Sequence, residues 1–355
     1  MKHRFWGMWL FLAALSGWPS LLDGKLVKVR EIDLERPPGG LPGFPVFALR
    51  FSPDGRKLAV IADVYETRGG RKSRLLVIDM EHPSAGIRQF EVEFGILDGV
   101  GNLNFGWTPS GEIVYAVGTV IHLESGTTCQ VPNQTVFIDN HVAMSWRGVF
   151  YDGNCEKRGT WDVRESWLIT DVSTDRGLLS VAKESVRPSE QEGLIVDPLA
   201  RKVVRRWPWK DTPGGGWEFA DRGKAVCQGG AGFNVHRMPA VCRSVDTGKE
   251  IAETRRNGDL PIATAGRATR IVVSDNRRKK IPFDYEYHTT LAGRYVWDFG
   301  TRQELARWYP ESQTYPNVLS PPKQITEPFR FALSPDGQYV AEGGNGVIRL
   351  YRIEP

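Results

Sequence analysis

The residues able to do covalent or metal chemistry are few and widely spaced. Four cysteines stand at 129, 155, 227 and 242, and six histidines at 3, 82, 122, 141, 236 and 288. No Cys-x-x-Cys occurs, so neither a zinc ribbon nor a thioredoxin-like pair is suggested. The histidines form no His-x-His and no His-Glu-x-x-His. A serine-hydrolase elbow needs Gly-x-Ser-x-Gly, and a phosphate loop needs Gly-x4-Gly-Lys-Ser/Thr; neither is present. Gly99-x-Gly101 is followed by Asn104 where a dinucleotide fingerprint wants glycine. The nearest thing to a cation loop is Asp171-x-Ser173-x-Asp175-x-Gly177. Its sixth and twelfth positions hold Arg176 and Ala182 in place of glycine and glutamate, so an ordinary strand-to-strand turn is expected there. No catalytic residue, metal ligand or cofactor is assigned on this reading.

The cysteines fit an oxidising compartment. Of three possible connectivities the sequential one is expected, Cys129 with Cys155 and Cys227 with Cys242, against free buried thiols as the alternative. Cys227 and Cys242 fall on neighbouring strands of one hairpin, and a bridge there stabilises by about 3 kcal/mol in the chain-entropy model. The N-terminus reads as an export signal over residues 1–24: Lys2, His3 and Arg4, then an apolar run from Phe5 to Leu15, then the small-x-small site Ala14-Leu15-Ser16. The alternative is an uncleaved anchor, although the run is short against the roughly 20 residues of a membrane span. The expected location is therefore periplasmic or secreted, with no membrane span after signal removal. Asn133-Gln134-Thr135 is formally a glycosylation sequon. The 46 basic and 42 acidic side chains give a formal charge of +4, two of it from Lys2 and Arg4. That balance gives no reason for a nucleic-acid partner.

The elements that must position any site show themselves by repetition. Phe47 to Val60 reads FALRFSPDGRKLAV, and Phe329 to Glu342 reads FRFALSPDGQYVAE. Proline presets φ for the first corner of a turn, aspartate bonds its own backbone, and glycine accepts a positive φ. Each segment is thus a strand, a tight turn and a returning strand. Phe105 to Gly111 is a close copy and Trp217 to Gly223 a looser one. A second marker, apolar residues followed by a polar one, recurs at Asp79, His122, Asp162, Asp197, Asp246, Asp298 and Tyr351, at spacings of 35 to 53 residues. Seven units of about 45 residues with four short strands each predict a single all-β domain over 25–355, a seven-bladed β-propeller. Gly148, aligned as the first-turn glycine of the third unit, lies close to Gly177, so a six-bladed ring with one irregular blade is the competitor. Trp107, Trp167 and Trp217 are expected to fill the wedges between blades.

With Phe-Ser-Pro-Asp-Gly-x-x-Leu-Ala in hand, the chain resembles the WD-repeat-like β-propellers, especially the extracytoplasmic Tol-type kind. The likeness is strongest in the end blades, and only Trp161-Asp162 and Trp297-Asp298 keep the Trp-Asp dipeptide. The resemblance implies the fold and no particular activity. The last blade offers Phe329–Leu333, Tyr339–Glu342 and Val347–Ile353, and its fourth strand is expected from Leu26–Asp33, closing the ring and removing exposed edges.

In such a ring the turns after first and third strands share one face, and the connections after second and fourth strands share the other. The first set is short. The second is long, at 64–73, 184–193, 229–239, 274–292 and 309–328, so binding is expected there. Candidate contacts are Tyr65, Arg68, Arg71, His236, Arg237, Phe283, Tyr285, Tyr287, His288 and Tyr315, because aromatic and arginine side chains suit protein or sugar surfaces. Arg277 to Lys280, flanked by Asp275, Asp284 and Glu286, reads as a solvated hairpin tip. Two functions follow from the reading: a scaffold that binds an unknown protein, peptide or glycan, or a lactonase-like propeller hydrolase with its active site at the channel mouth.

Overall fold

Tight four-residue corners cut the chain into short antiparallel runs. In the computed structural model these runs make seven four-stranded sheets, which is the seven-bladed ring and not the six-bladed one. It describes residues 25–34, 46–67, 70–82, 86–93, 105–162, 167–183, 192–208, 217–228, 239–254, 259–275, 293–308, 330–344 and 346–354. Blades 1 to 6 run in chain order from Val46, Phe105, Thr135, Trp167, Glu218 and Asp259. Blade 7 takes Arg330–Leu333, Tyr339–Gly344 and Val347–Glu354 from the end of the chain and its outer strand, Lys25–Asp33, from the beginning. The first strands of neighbouring blades touch and so line the axis. Fourth strands such as Ile87–Glu93 are mostly exposed. Among the described residues no helix is long and apolar enough to cross a membrane.

The turn chemistry is as the residue types dictate. Ser52 Oγ donates to Asp54 Oδ1 at 2.5 Å, while the Arg56 and Lys57 amides donate to Asp54 and Ser52. Ser334 and Asp336 repeat the arrangement with Gln338 and Tyr339. Thr108 and Ser110 do the same work with hydroxyls alone.

Apolar layers lie between consecutive blades. Ile32, Leu34, Val46, Leu58, Ile78 and Ile348 fill the seam between blades 7 and 1, and Trp207, Trp217 and Phe219 the seam between blades 4 and 5. Trp107, Trp167 and Trp217 are all buried in such seams. A fully buried Leu or Ile contributes about 1.5–3 kcal/mol, so the ring is held mainly by these faces. The closing strand pairs antiparallel from Lys25 with Glu354 to Asp33 with Val347, and the Leu34 amide donates to Gly346 O at 2.7 Å.

Three expectations need correcting. Asp162 does not mark the third strand of blade 3. That strand is Val149–Asp152, and Thr160 ends the outer strand Lys157–Thr160. Gly148 accordingly turns the second strand into the third rather than the first into the second, which removes the crowding that favoured six blades. The span 64–73 is not a long loop but a hairpin: Lys57–Thr67 and Gly70–Asp79 stay laddered through Tyr65 with Lys72 and Glu66 with Arg71.

Both disulfides form with sequential pairing. Cys227 and Cys242 face each other on adjacent strands of blade 5, fully buried. Cys129 lies on the outer strand of blade 2 and Cys155 in the last turn of blade 3, so their bridge joins two blades. Beside it His122 Nε2 lies 2.8 Å from Gly153 O.

Candidate functional site

The inner strands end at the short-turn face, and between their C-terminal halves lies a chamber of about 140 Å³. Six of the seven inner strands or their turns contribute to it. Its mouth is framed by Pro53, Asp175, Arg267 and Pro335, all in first turns. The expected working face was the opposite one, whereas this chamber is on the side with short connections.

One register position builds the chamber. Two residues before each turn begins, the inner strands carry Arg50, Gly106, Asp171, Glu218, Ala263 and Ala332 in blades 1, 2, 4, 5, 6 and 7. Three are charged, and three are small enough to leave room. Arg50 Nη2 lies 3.3 Å from Asp171 Oδ1, from blade 1 to blade 4 across the axis. Asp171 Oδ2 also accepts the Phe219 amide of blade 5 at 2.7 Å. Trp107 of blade 2 fixes the other end of the brace, its Nε1 donating to Arg50 O at 3.1 Å. Gly106 is required beside it, because an added Cβ would stand 2.4 Å from the Tyr115 hydroxyl that fills this sector. At the rim Arg267 Nη2 reaches Asp175 Oδ1 at 3.3 Å, passing over blade 5. The turns themselves are stitched: the Arg222 amide donates to Gly266 O, the Arg267 amide to Pro335 O, and the Ser110 amide to Asn140 Oδ1. The chamber is therefore pre-organised.

Its electrostatics follow from burial. Burial works against the charge on Arg50, but Asp171 ahead of its other neighbours more than offsets this, and the guanidinium pKa is raised. Burial pushes the Asp171 carboxyl up, against the pull of Arg50 and of the Phe219 and Val172 amides. Glu218 is pushed up to about 7 by burial and then by the charge of Asp171, with Arg50 and the Thr264 hydroxyl opposing. It holds a proton close to neutrality, beside an Asp171 carboxyl that burial raises as well. The Tyr115 phenol, buried, is pushed up to about 12 and stays protonated. Among the described residues no three His, Cys, Asp or Glu side chains group as metal ligands do.

A second polar network sits at the opposite end of blade 6, where the connections 276–292 and 309–329 begin and end. Tyr295 Oη donates to Asp259 Oδ2 at 2.5 Å, and Arg307 Nη1 to Asp275 Oδ2 at 3.1 Å. Burial lowers the Arg294 guanidinium to about 10, against the pull of Glu342 and Asp275. These contacts anchor the roots of two long connections.

Of the residues expected to bind, Tyr65 and Arg71 belong by backbone to the blade 1 hairpin. Arg68, His236, Arg237, Phe283, Tyr285, Tyr287, His288 and Tyr315 lie outside the described residues. The chamber residues Arg50 and Glu218 were missed, and Asp171 was weighed only as a cation ligand. The available signal was the common offset from the turn, read across strands rather than along one.

A ring of seven four-stranded blades is a seven-bladed β-propeller. No family model matches the chain, and no curated protein does. Solved structures do: a chain of a crystal structure of the mitotic checkpoint complex aligns with a TM-score of 0.55 at 12% identity, covering 93% of this chain and 96% of that one. The Cps50 (Swd1) β-propeller domain of Myceliophteria thermophila aligns with a TM-score of 0.53 at 12% identity, covering 93% and 99%. At that identity the likeness is one of fold.

Proposed function

We propose that this protein is an extracytoplasmic interaction scaffold that engages its partner at an axial face of the ring. The observation that carries the reading is the braced chamber at the short-turn face. It combines aromatic walls with charged groups held in place before any ligand arrives, which lowers the ordering cost of binding. Two disulfides, one between blades, support an oxidising compartment, as does the basic and apolar leader. The Tol-type resemblance of the end blades agrees with that placement. The partner is a protein, peptide or glycan. The long-connection side, with Tyr65, Arg68, Arg71, His236, Arg237, Phe283, Tyr285, Tyr287, His288 and Tyr315, is the second docking surface of the same reading.

Site-specific photo-crosslinkers test it in cells that make the protein. Placed at Asp175 and Arg267 they report the chamber mouth, at Tyr65 and Tyr287 the other face, and at Glu91 the rim of blade 1. Adducts concentrated at an axial face support the scaffold. Adducts only at Glu91 would overturn it.

A second reading is hydrolysis. It is favoured by one observation, two carboxyls in one chamber that burial raises, Glu218 to about 7, where it could act as an acid. Turnover of a lactone or glycoside that Glu218→Gln abolishes would establish it.

A further inference from the structure

The charges that line the chamber do not balance. Arg50 is committed to Asp171, and Arg267 to Asp175, each at 3.3 Å. Glu218 is the remaining charged group: Arg50 attracts it from blade 1, but among the described residues no ion pair is made to its carboxylate. Across the seam the Thr264 hydroxyl, which donates to Phe219 O at 2.8 Å, also favours the ionised Glu218 carboxyl. The empty space lies beside it, where Ala263 and Ala332 occupy the register positions that hold charged residues in blades 1, 4 and 5. Phe331, packed in the seam between blades 6 and 7, also lines the chamber. A chamber of about 140 Å³ is close to the roughly 150 Å³ that admits a benzene ring, so it takes a group of about six heavy atoms. An anionic group entering it would meet Glu218, while Arg50 and Arg267 are already engaged by Asp171 and Asp175. A cation on a short aliphatic stem would meet one carboxylate that makes no ion pair, and an apolar wall.

We propose that the axial chamber binds a primary alkylammonium group, its charge against Glu218 and its methylenes against Ala263, Ala332 and Phe331. This rests on the binding reading above and adds the class of ligand. The group is carried either by a small free amine or by a lysine side chain of a partner. Docking the ammonium ionises Glu218, so one proton leaves the carboxyl for solvent as the ion pair forms. Arg50 and Asp171 face Glu218 from blades 1 and 4, with Tyr115 behind Arg50 and Arg267 at the rim, so the part of the pH dependence owned by Glu218 must be isolated by substitution.

Calorimetric titration of the oxidised full chain with n-butylammonium chloride, and with sodium butyrate as the charge-reversed control, is the test. Wild type binds n-butylammonium at least tenfold more tightly at pH 8 than at pH 5.5, and binds butyrate more weakly than the amine. Glu218→Gln weakens the amine at least tenfold at pH 8 and flattens its pH dependence. Ala332→Leu fills the space and removes binding with Glu218 still in place. Far-UV circular dichroism and a cooperative melt verify that each variant is folded. A short peptide with one lysine and its Nε-acetylated twin separate the sources: binding only of the free lysine form assigns a partner side chain, and binding of butylammonium alone assigns a small amine. Wild-type affinity in Glu218→Gln, preference for butyrate, or no amine binding at 10 mM or so would each overturn the proposal. If chamber-mouth crosslinks persist in that case, only the ligand class falls and the scaffold reading stands.

Discussion

Arg50 and Asp171 are 121 residues apart in sequence and 3.3 Å apart in space, joined across the axis from blade 1 to blade 4. The pair braces the ring from within. Asp171 is almost fully buried, at 8% side-chain exposure, while Arg50 keeps 31% toward the lumen. Removing Arg50 therefore leaves a buried carboxylate without its cation.

Arg50→Met is expected to cost about 2–4 kcal/mol, somewhat below the usual figure for a broken buried pair because the arginine is partly solvated. Asp171→Asn retains an acceptor for the Phe219 amide and removes the charge, so the double variant Arg50→Met with Asp171→Asn recovers most of the loss. Urea unfolding of the four proteins gives the coupling energy. Coupling near zero would mean that the brace contributes nothing.

Glu218 makes stability depend on pH in a direction opposite to that of most carboxylates. Its folded pKa is about 7 against an ordinary 4.5. Between those values the folded state holds more protons than the unfolded one, so stability falls as pH rises and levels off above about 7. Glu218→Gln, which cannot ionise, lacks this fall. The variant gains on wild type by on the order of 1–3 kcal/mol between pH 5 and pH 8. Denaturant midpoints at the two pH values check it, and a parallel pH response in both proteins would refute it.

The ring was readable because its turns are local chemistry. Ser52, Asp54 and Gly55 make their bonds within six residues, and Ser334, Asp336 and Gly337 repeat them. Leu26 to Asp33 was readable as a closing strand because an open ring leaves an unpaired edge. Blade 3 was read one strand out of phase because its strands are only three or four residues long. Over so few residues period two carries little signal, and Trp161-Asp162 imitates the marker of the other blades. Chamber residues escaped for another reason. Arg50, Asp171 and Glu218 look, within any one strand, like the solvent side of an alternating pattern. Only stacking the strands at their turns shows that the three share a level facing the axis. Long connections drew attention to the other face, where length signals tolerance as well as function.

Ring closure gives a prediction about cooperativity. Ile32 is buried in the seam shared by blades 7 and 1, and Glu31 pairs with Arg349 at 3.3 Å. Ile32→Ala is expected to cost about 2–4 kcal/mol through the cavity it leaves. Deleting 25–33 exposes the edge of Val347–Glu354 and should produce concentration-dependent association as well as instability. Light scattering and thermal melts on the two proteins separate these effects. A deletion variant that stays monomeric with an unchanged melt would contradict the closure.

The two disulfides should differ in reactivity and in what their loss does. Cys227 and Cys242 are fully buried within one blade, whereas Cys129 and Cys155 are partly exposed and tie blade 2 to blade 3. Mild reductant should therefore open Cys129–Cys155 first, with Cys227–Cys242 reduced only on unfolding. Blade 3 has strands of only three or four residues and depends on that tie, so Cys129→Ser with Cys155→Ser should destabilise by roughly 3 kcal/mol in the chain-entropy model for its 26-residue separation. The loss should be regional: hydrogen exchange should quicken in 135–160 before the other blades change. Uniform quickening around the ring would show instead that the bridge acts on the unfolded chain alone, with no special hold on blade 3.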